Sequence, residues 1–137
     1  MPEFKVARLG VIFPDHPSLS RLNKSESTPF RAEIWVVDEV LIRDEGISLD
    51  FYAGHPLVYD FIPNGEIWLP QSLPVIDIVP FTVHEYKEAV FMLKHNFAYE
   101  RAHEEANTLE LILRKTRSEW ENADILSLLE AVLETVS

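Results

Sequence analysis

Cysteine is absent from the 137 residues. Disulfides, thiolate metal sites and cysteine nucleophiles are therefore excluded, and thiols say nothing of the redox compartment. Only four glycines are present. They form neither a glycine-rich phosphate loop nor a Gly-x-Ser-x-Gly elbow, so phosphate-cradling and serine-hydrolase readings have no support. No apolar run approaches membrane-spanning length. The opening Met1-Pro2-Glu3-Phe4-Lys5 lacks the basic-then-apolar order of a secretory leader, which leads us to expect a cytoplasmic protein with no membrane partner. Basic residues are also scarce: 12 Lys and Arg face 23 Asp and Glu, a formal net charge of −11. Nucleic-acid affinity comes largely from cationic side chains on phosphates, so no nucleic-acid partner is expected. The local basic group Arg114, Lys115 and Arg117 suits the negative end of a helix dipole.

What is present reads as one α+β domain over residues 1–137. Residues 1–31 are expected to hold a strand near 4–13 and then an irregular segment rich in Pro, Ser and Asn. Residues 32–69 are expected to form an antiparallel sheet of three to five strands. Its pieces are Ile34–Val37, Val40–Ile42, the alternating Ile47–Tyr52, and a hairpin joining 58–62 to 66–69 through Pro63-Asn64-Gly65. Trp35 and Trp68 are expected in the sheet core. Pro70, Pro74 and Pro80 confine 70–80 to a connection.

Residues 81–137 are expected to supply a layer of three helices. The first starts near Thr82, which forms a capping box with Glu85, and carries the stripe Val83, Tyr86, Val90, Leu93 and Phe97. The second carries Tyr99, Ala102, Ala106, Leu109 and Leu113. The third runs from Ile125 to Val136. Trp120 is expected as a helix contact.

Polar residues fringe two of these stripes. His84 and Glu88 lie one turn apart on the first helix. His103 and Glu110 lie two turns apart on the second, at the same offset from the stripe. Antiparallel packing would bring these edges together. Two imidazoles and a carboxylate then make the ligand set of a catalytic zinc site, with Glu110 as a fourth ligand or as a partner orienting His103. Glu85, turned about a quarter of the circumference from His84, is placed to act as general base.

The run His84-Glu85-x-x-Glu88 resembles the His-Glu-x-x-His helix of zincin metallopeptidases, with glutamate in place of the second histidine and His103 supplying the later ligand. A longer stretch, Tyr59-Asp-Phe-Ile-Pro-Asn-Gly-Glu-Ile-Trp-Leu69 with His84-Glu85-x-x-Glu88 and Ala102-His103-x-x-Ala106-x-x-x-Glu110, resembles a small prokaryotic and phage family. Members share an Ile-Pro-x-x-Glu-Ile-Trp hairpin ahead of such a helix. Over residues 32–112 this resemblance implies a zincin-like fold and metal site. It also implies that Glu66-Ile67-Trp68 is the strand along which an extended peptide or protein substrate lies. The expected function is a zinc-dependent hydrolase of peptidase or amidase type, or a degenerate descendant of one.

Two other readings stay open. A non-catalytic interaction or dimerisation module would use the amphipathic 125–136 segment as a homodimer surface. A di-iron or di-manganese carboxylate protein would use Glu100-x-x-His103 with Glu85-x-x-Glu88. His95 is expected at a helix end. His55, between Gly54 and Pro56, reads as a turn residue, with a strand-end position at the site mouth as its alternative. His16 falls in the Pro-rich loop.

Overall fold

Ala32–Val37 is the strand on which the architecture is built. Ala32, Ile34 and Val37 are buried and Glu33, Trp35 and Val36 half-buried, with successive side chains on opposite faces. In the computed structural model, which describes residues 3–12 and 32–119, this strand (β2) is the centre of a three-stranded sheet of order β1-β2-β3. β1 is Lys5–Ile12 and β3 is Glu66–Pro70. The expected N-terminal strand is present and pairs antiparallel to β2, with register shifts between Lys5 and Ala7 and between Arg8 and Gly10. β3, however, pairs with β2 in parallel, Ile34 opposite Ile67 and Trp35 opposite Trp68. The fold is α+β with a mixed sheet, where a purely antiparallel one was expected.

The parallel pair needs a crossover, and residues 38–65 supply it. Expected strands there are replaced by other local structure. Asp38 accepts from the Leu41 amide at 2.9 Å and caps a short helix, α1, over Glu39–Asp44. Val40, Leu41 and Ile42 are thus helical despite their strand propensity. Gly46, at φ 73, ends α1 in a Schellman arrangement: its amide donates to the Arg43 carbonyl and that of Ile47 donates to the Ile42 carbonyl. Residues 47–52 and 58–62 are turns and irregular chain. The Pro63-Asn64-Gly65 turn forms, with Gly65 at φ 82, but it leads into β3 alongside β2 rather than joining β3 to a hairpin partner.

The aromatic side chains explain that choice. Phe51, Tyr59, Phe61 and Trp68 pack at mutual centroid distances of 5.1–6.5 Å. Together with Phe4, Val37, Ile42 and Ile62 they form a core on one face of the sheet. Period-two alternation sends Ile67 and Leu69 to the other face. There they join Ala32, Ile34, Val79, Val83, Tyr86, Val90 and Leu113 beneath two long helices.

Those helices are α2, Ile78–Lys94, and α3, Tyr99–Lys115. α2 begins four residues earlier than Thr82. Pro80 falls within the first turn, where no intrahelical amide donor is needed, so the expected capping box does not form. Thr82 is instead buried inside the helix with its hydroxyl unpartnered. At the far end Asn96, at φ 55, turns the chain and the Phe97 amide donates to the Phe91 carbonyl. The four-residue link leaves α2 and α3 packed side by side and antiparallel. The expected irregular segment at 14–29, His16, Trp120 and the 125–136 helix lie outside the described residues. Among the described residues, no helix is long and apolar enough to cross a membrane.

Candidate metal centre

The apolar stripe of α2 faces the sheet, so the residues just beside it face α3. His84 and Glu88 lie there one turn apart, and both are buried. The matching edge of α3 presents His103 and Glu110. Glu88 is the hub. Its Oε2 is 3.2 Å from His84 Nε2 and 2.8 Å from His103 Nδ1, while its Oε1 is 2.8 Å from His55 Nε2. The two histidine rings from opposite helices meet edge to face at 4.9 Å, and Tyr99 stacks on His103 at 5.4 Å.

Glu110 meets His84 from behind. Its Oε1 is 3.0 Å from His84 Nδ1, the nitrogen turned away from Glu88. The pair is close enough for ionic attraction but is not aligned as a hydrogen bond. Arg114 holds the other oxygen of Glu110 at 2.9 Å and reaches Asp77, at the start of α2, at 2.7 Å. Asp77, Arg114, Glu110 and His84 thus form one polar chain along the helix seam.

Burial works against charge on His84, yet its contacts with Glu110 and Glu88 overcome that cost and hold its pKa at about 10. Glu88 is the complement: burial opposes its ionisation, but the imidazoles of His55, His84 and His103 hold it near 2. Glu110 is lowered against its own burial by His84 and Arg114. Glu85 behaves differently. Burial pushes its carboxyl up to about 7, with Glu88 adding repulsion and the histidines partly offsetting both. A carboxyl titrating near neutrality beside a cavity can both take and return a proton.

Two hollows open on this cluster. One, about 140 Å³, is lined by Ala53, Val58, Tyr59, Glu85, Glu88 and Tyr99 together with the two histidines. The other, about 240 Å³, runs along Tyr52, Phe81, Asn107 and Glu110. Both include His84, Glu85 and His103 in their walls. Desolvation is the first cause raising the Tyr59 and Tyr99 phenols, with nearby carboxylates adding to it, so both stay protonated donors.

His84, Glu88 and His103 each offer one ligand atom, and the three atoms lie within 4.8 Å of one another. Two imidazole nitrogens and one carboxylate oxygen beside an open hollow match a divalent metal with a free coordination position. The ligand atoms of His55, Glu85 and Glu88 also lie within 4.8 Å of one another.

The spacing-based set therefore converges, with Glu110 facing His84 rather than His103. His55 does sit in a turn, its carbonyl accepting from the Val58 and Tyr59 amides, but its ring is fully buried in the cluster rather than at the site mouth. Its only sequence signal was its place between Gly54 and Pro56. His95 is the C-cap of α2, exposed between Phe91 and Phe97. Glu100 is also exposed, so Glu100-x-x-His103 does not face the cluster as a pair.

The expected substrate strand is modified too. Gly54 and Trp68 exchange both backbone hydrogen bonds at 3.0 Å, so at Trp68 the outer edge of β3 is taken by the chain itself. Comparison with known protein families, curated proteins and solved structures gave no match.

Proposed function

We propose that this protein is a zincin-like, metal-dependent hydrolase acting on an amide or peptide bond, with His84, Glu88 and His103 as the ligands of a zinc ion. The observation that carries the reading is the convergence of those three ligand atoms, from two helices, on the wall of a hollow that also contains Glu85. A bound zinc supplies Lewis acidity toward a carbonyl and makes water more acidic.

The chain's own residues would do the rest. Glu85 takes the proton of the attacking water and returns it to the leaving nitrogen. Tyr59 and Tyr99, protonated phenols on the same wall, donate toward the developing oxyanion. Glu110, held by Arg114, steadies His84 by ionic attraction at the nitrogen turned away from Glu88. With Glu110 in that role His84, Glu88 and His103 would hold the metal and would leave a coordination position open, as catalysis requires. Because Gly54 covers β3 at Trp68, substrate binds in the hollows flanking Ala53 rather than as an added strand along Glu66-Ile67-Trp68.

Metal content of protein purified without added metal or chelator is the test. Near-stoichiometric zinc is expected, and it should fall below a tenth of an equivalent in both His84→Ala and His103→Ala with the fold retained. Full metal content in both variants would exclude this ligand set.

A further inference from the structure

His55 lies 33 residues from Glu88 in sequence and shares no helix with it, yet its ring is fully buried and 2.8 Å from Glu88 Oε1. Its position is built in three ways. The double bridge between Gly54 and Trp68 fixes the chain immediately before it to the sheet. A Cβ at Gly54 would lie 2.4 Å from the Tyr59 ring, so only glycine admits this approach. After it, the amides of Val58 and Tyr59 both donate to the His55 carbonyl.

The ring's protonation pattern follows from one further contact. The Leu57 amide donates to His55 Nδ1 at 3.3 Å. A backbone amide can only donate, so Nδ1 accepts and the ring proton sits on Nε2. Nε2–H then donates to Glu88 Oε1.

We infer that His55 is a positioning residue, not a metal ligand: its Nε2–H occupies Glu88 Oε1 and leaves Oε2 alone to face His84 and His103. This rests on the metal-site reading above and fixes how Glu88 serves in it, as a one-oxygen ligand. It also decides between the two triads whose ligand atoms lie close enough to share a metal ion. A second metal on His55, Glu85 and Glu88 needs a lone pair on Nε2, hence a proton on Nδ1, directly against the Leu57 amide. The tautomer set by Leu57 therefore favours one metal per chain.

Cobalt(II) titration of the metal-free protein, followed by its visible d–d spectrum and by chelator competition, tests this with His55→Phe and His55→Gln. Phenylalanine keeps a ring but donates nothing; glutamine restores an N–H of similar reach. Wild type should bind one equivalent. His55→Phe should bind about 10–100-fold more weakly with an altered spectrum, as loss of a partner to a ligand does. His55→Gln should recover most of the affinity and the wild-type spectrum.

A His55→Phe protein, shown folded by near-ultraviolet circular dichroism, that keeps wild-type affinity and spectrum would overturn the role. So would two equivalents in wild type with the second lost in both variants, since His55 would then be a ligand. If neither variant folds, the same titration of Gly54→Ala, which displaces the His55 turn, should show the same weakening, and unchanged affinity there refutes the role. Wild type that binds no cobalt at all overturns the metal site itself, a result distinct from every other.

Discussion

Two glutamates of this protein are equally buried, each about 2 % exposed, and they do different things. Glu39, in the first turn of α1, accepts from the Gln71 amide and the Ser72 hydroxyl. Its donors are neutral groups just past β3, so it ties α1 to the end of the sheet. Glu88 accepts from three imidazoles, that of His84 on its own helix, of His103 across the α2–α3 seam and of His55 from the loop before β3, and borders a hollow. Burial is the same; the partners differ. Neutral donors make a buried carboxylate a structural fastener, whereas the ring nitrogens of His84 and His103, which are of a metal-ligating type, make Glu88 part of a candidate cation site.

Breaking Glu88 should have the largest effect. Glu88→Gln should abolish metal uptake, and in the metal-free chain it should cost about 3 kcal/mol, because buried His84 and His55 both lose a charged acceptor while Glu110 still faces His84. Urea unfolding measures this, and a loss under about 1 kcal/mol would show that the hub is not structurally coupled.

Glu39→Ala should come next. It should lose about 1.5–3 kcal/mol, the range for hydrogen bonds to a charged acceptor, while metal content stays at wild-type level. A fall in metal content would mean that the fastener and the centre are not separable.

Glu85 sharpens the comparison through pH, in the metal-free protein. Its folded pKa, about 7, lies above the ordinary 4.5. Its protonated form is therefore favoured by folding: the contribution is complete below about pH 4.5 and is lost as pH rises through about 7. Glu85→Gln should thus be more stable than wild type by ~1–3 kcal/mol at pH 8, with the gain vanishing near pH 4. Glu88 has the opposite sign. Held near 2, it stabilises above about pH 4.5, and that contribution disappears as pH falls toward 2. A pH-independent difference between Glu85→Gln and wild type would contradict the raised pKa of that carboxyl.

Much of the helical half was legible from spacing. His84 and Glu88 share a face because they are four apart, and Val83, Tyr86 and Val90 are buried because they share the adjacent one. Ala102, Ala106 and Leu113 were readable on α3 for the same reason. The sheet half was less legible. Val40-Leu41-Ile42 has strand composition, but the Asp38 cap and the Gly46 stop made it helical. Residues 58–62 read as a strand because they precede the Asn64-Gly65 turn, but Tyr59, Phe61 and Ile62 enter the aromatic core around Phe51 and Trp68 instead of pairing.

By itself, then, the sequence determined what repeats locally: the two helices that carry His84, Glu85, Glu88, His103 and Glu110, and the faces on which those residues sit. Helical period is a property of consecutive residues, so it survives any arrangement of the helices. The tertiary structure alone decided that β3 runs parallel to β2, that Glu110 backs His84, and that His55 reaches Glu88. Each of those joins segments far apart in the chain. Their meeting depends on how two cores pack on opposite faces of one sheet, and no local pattern encodes that.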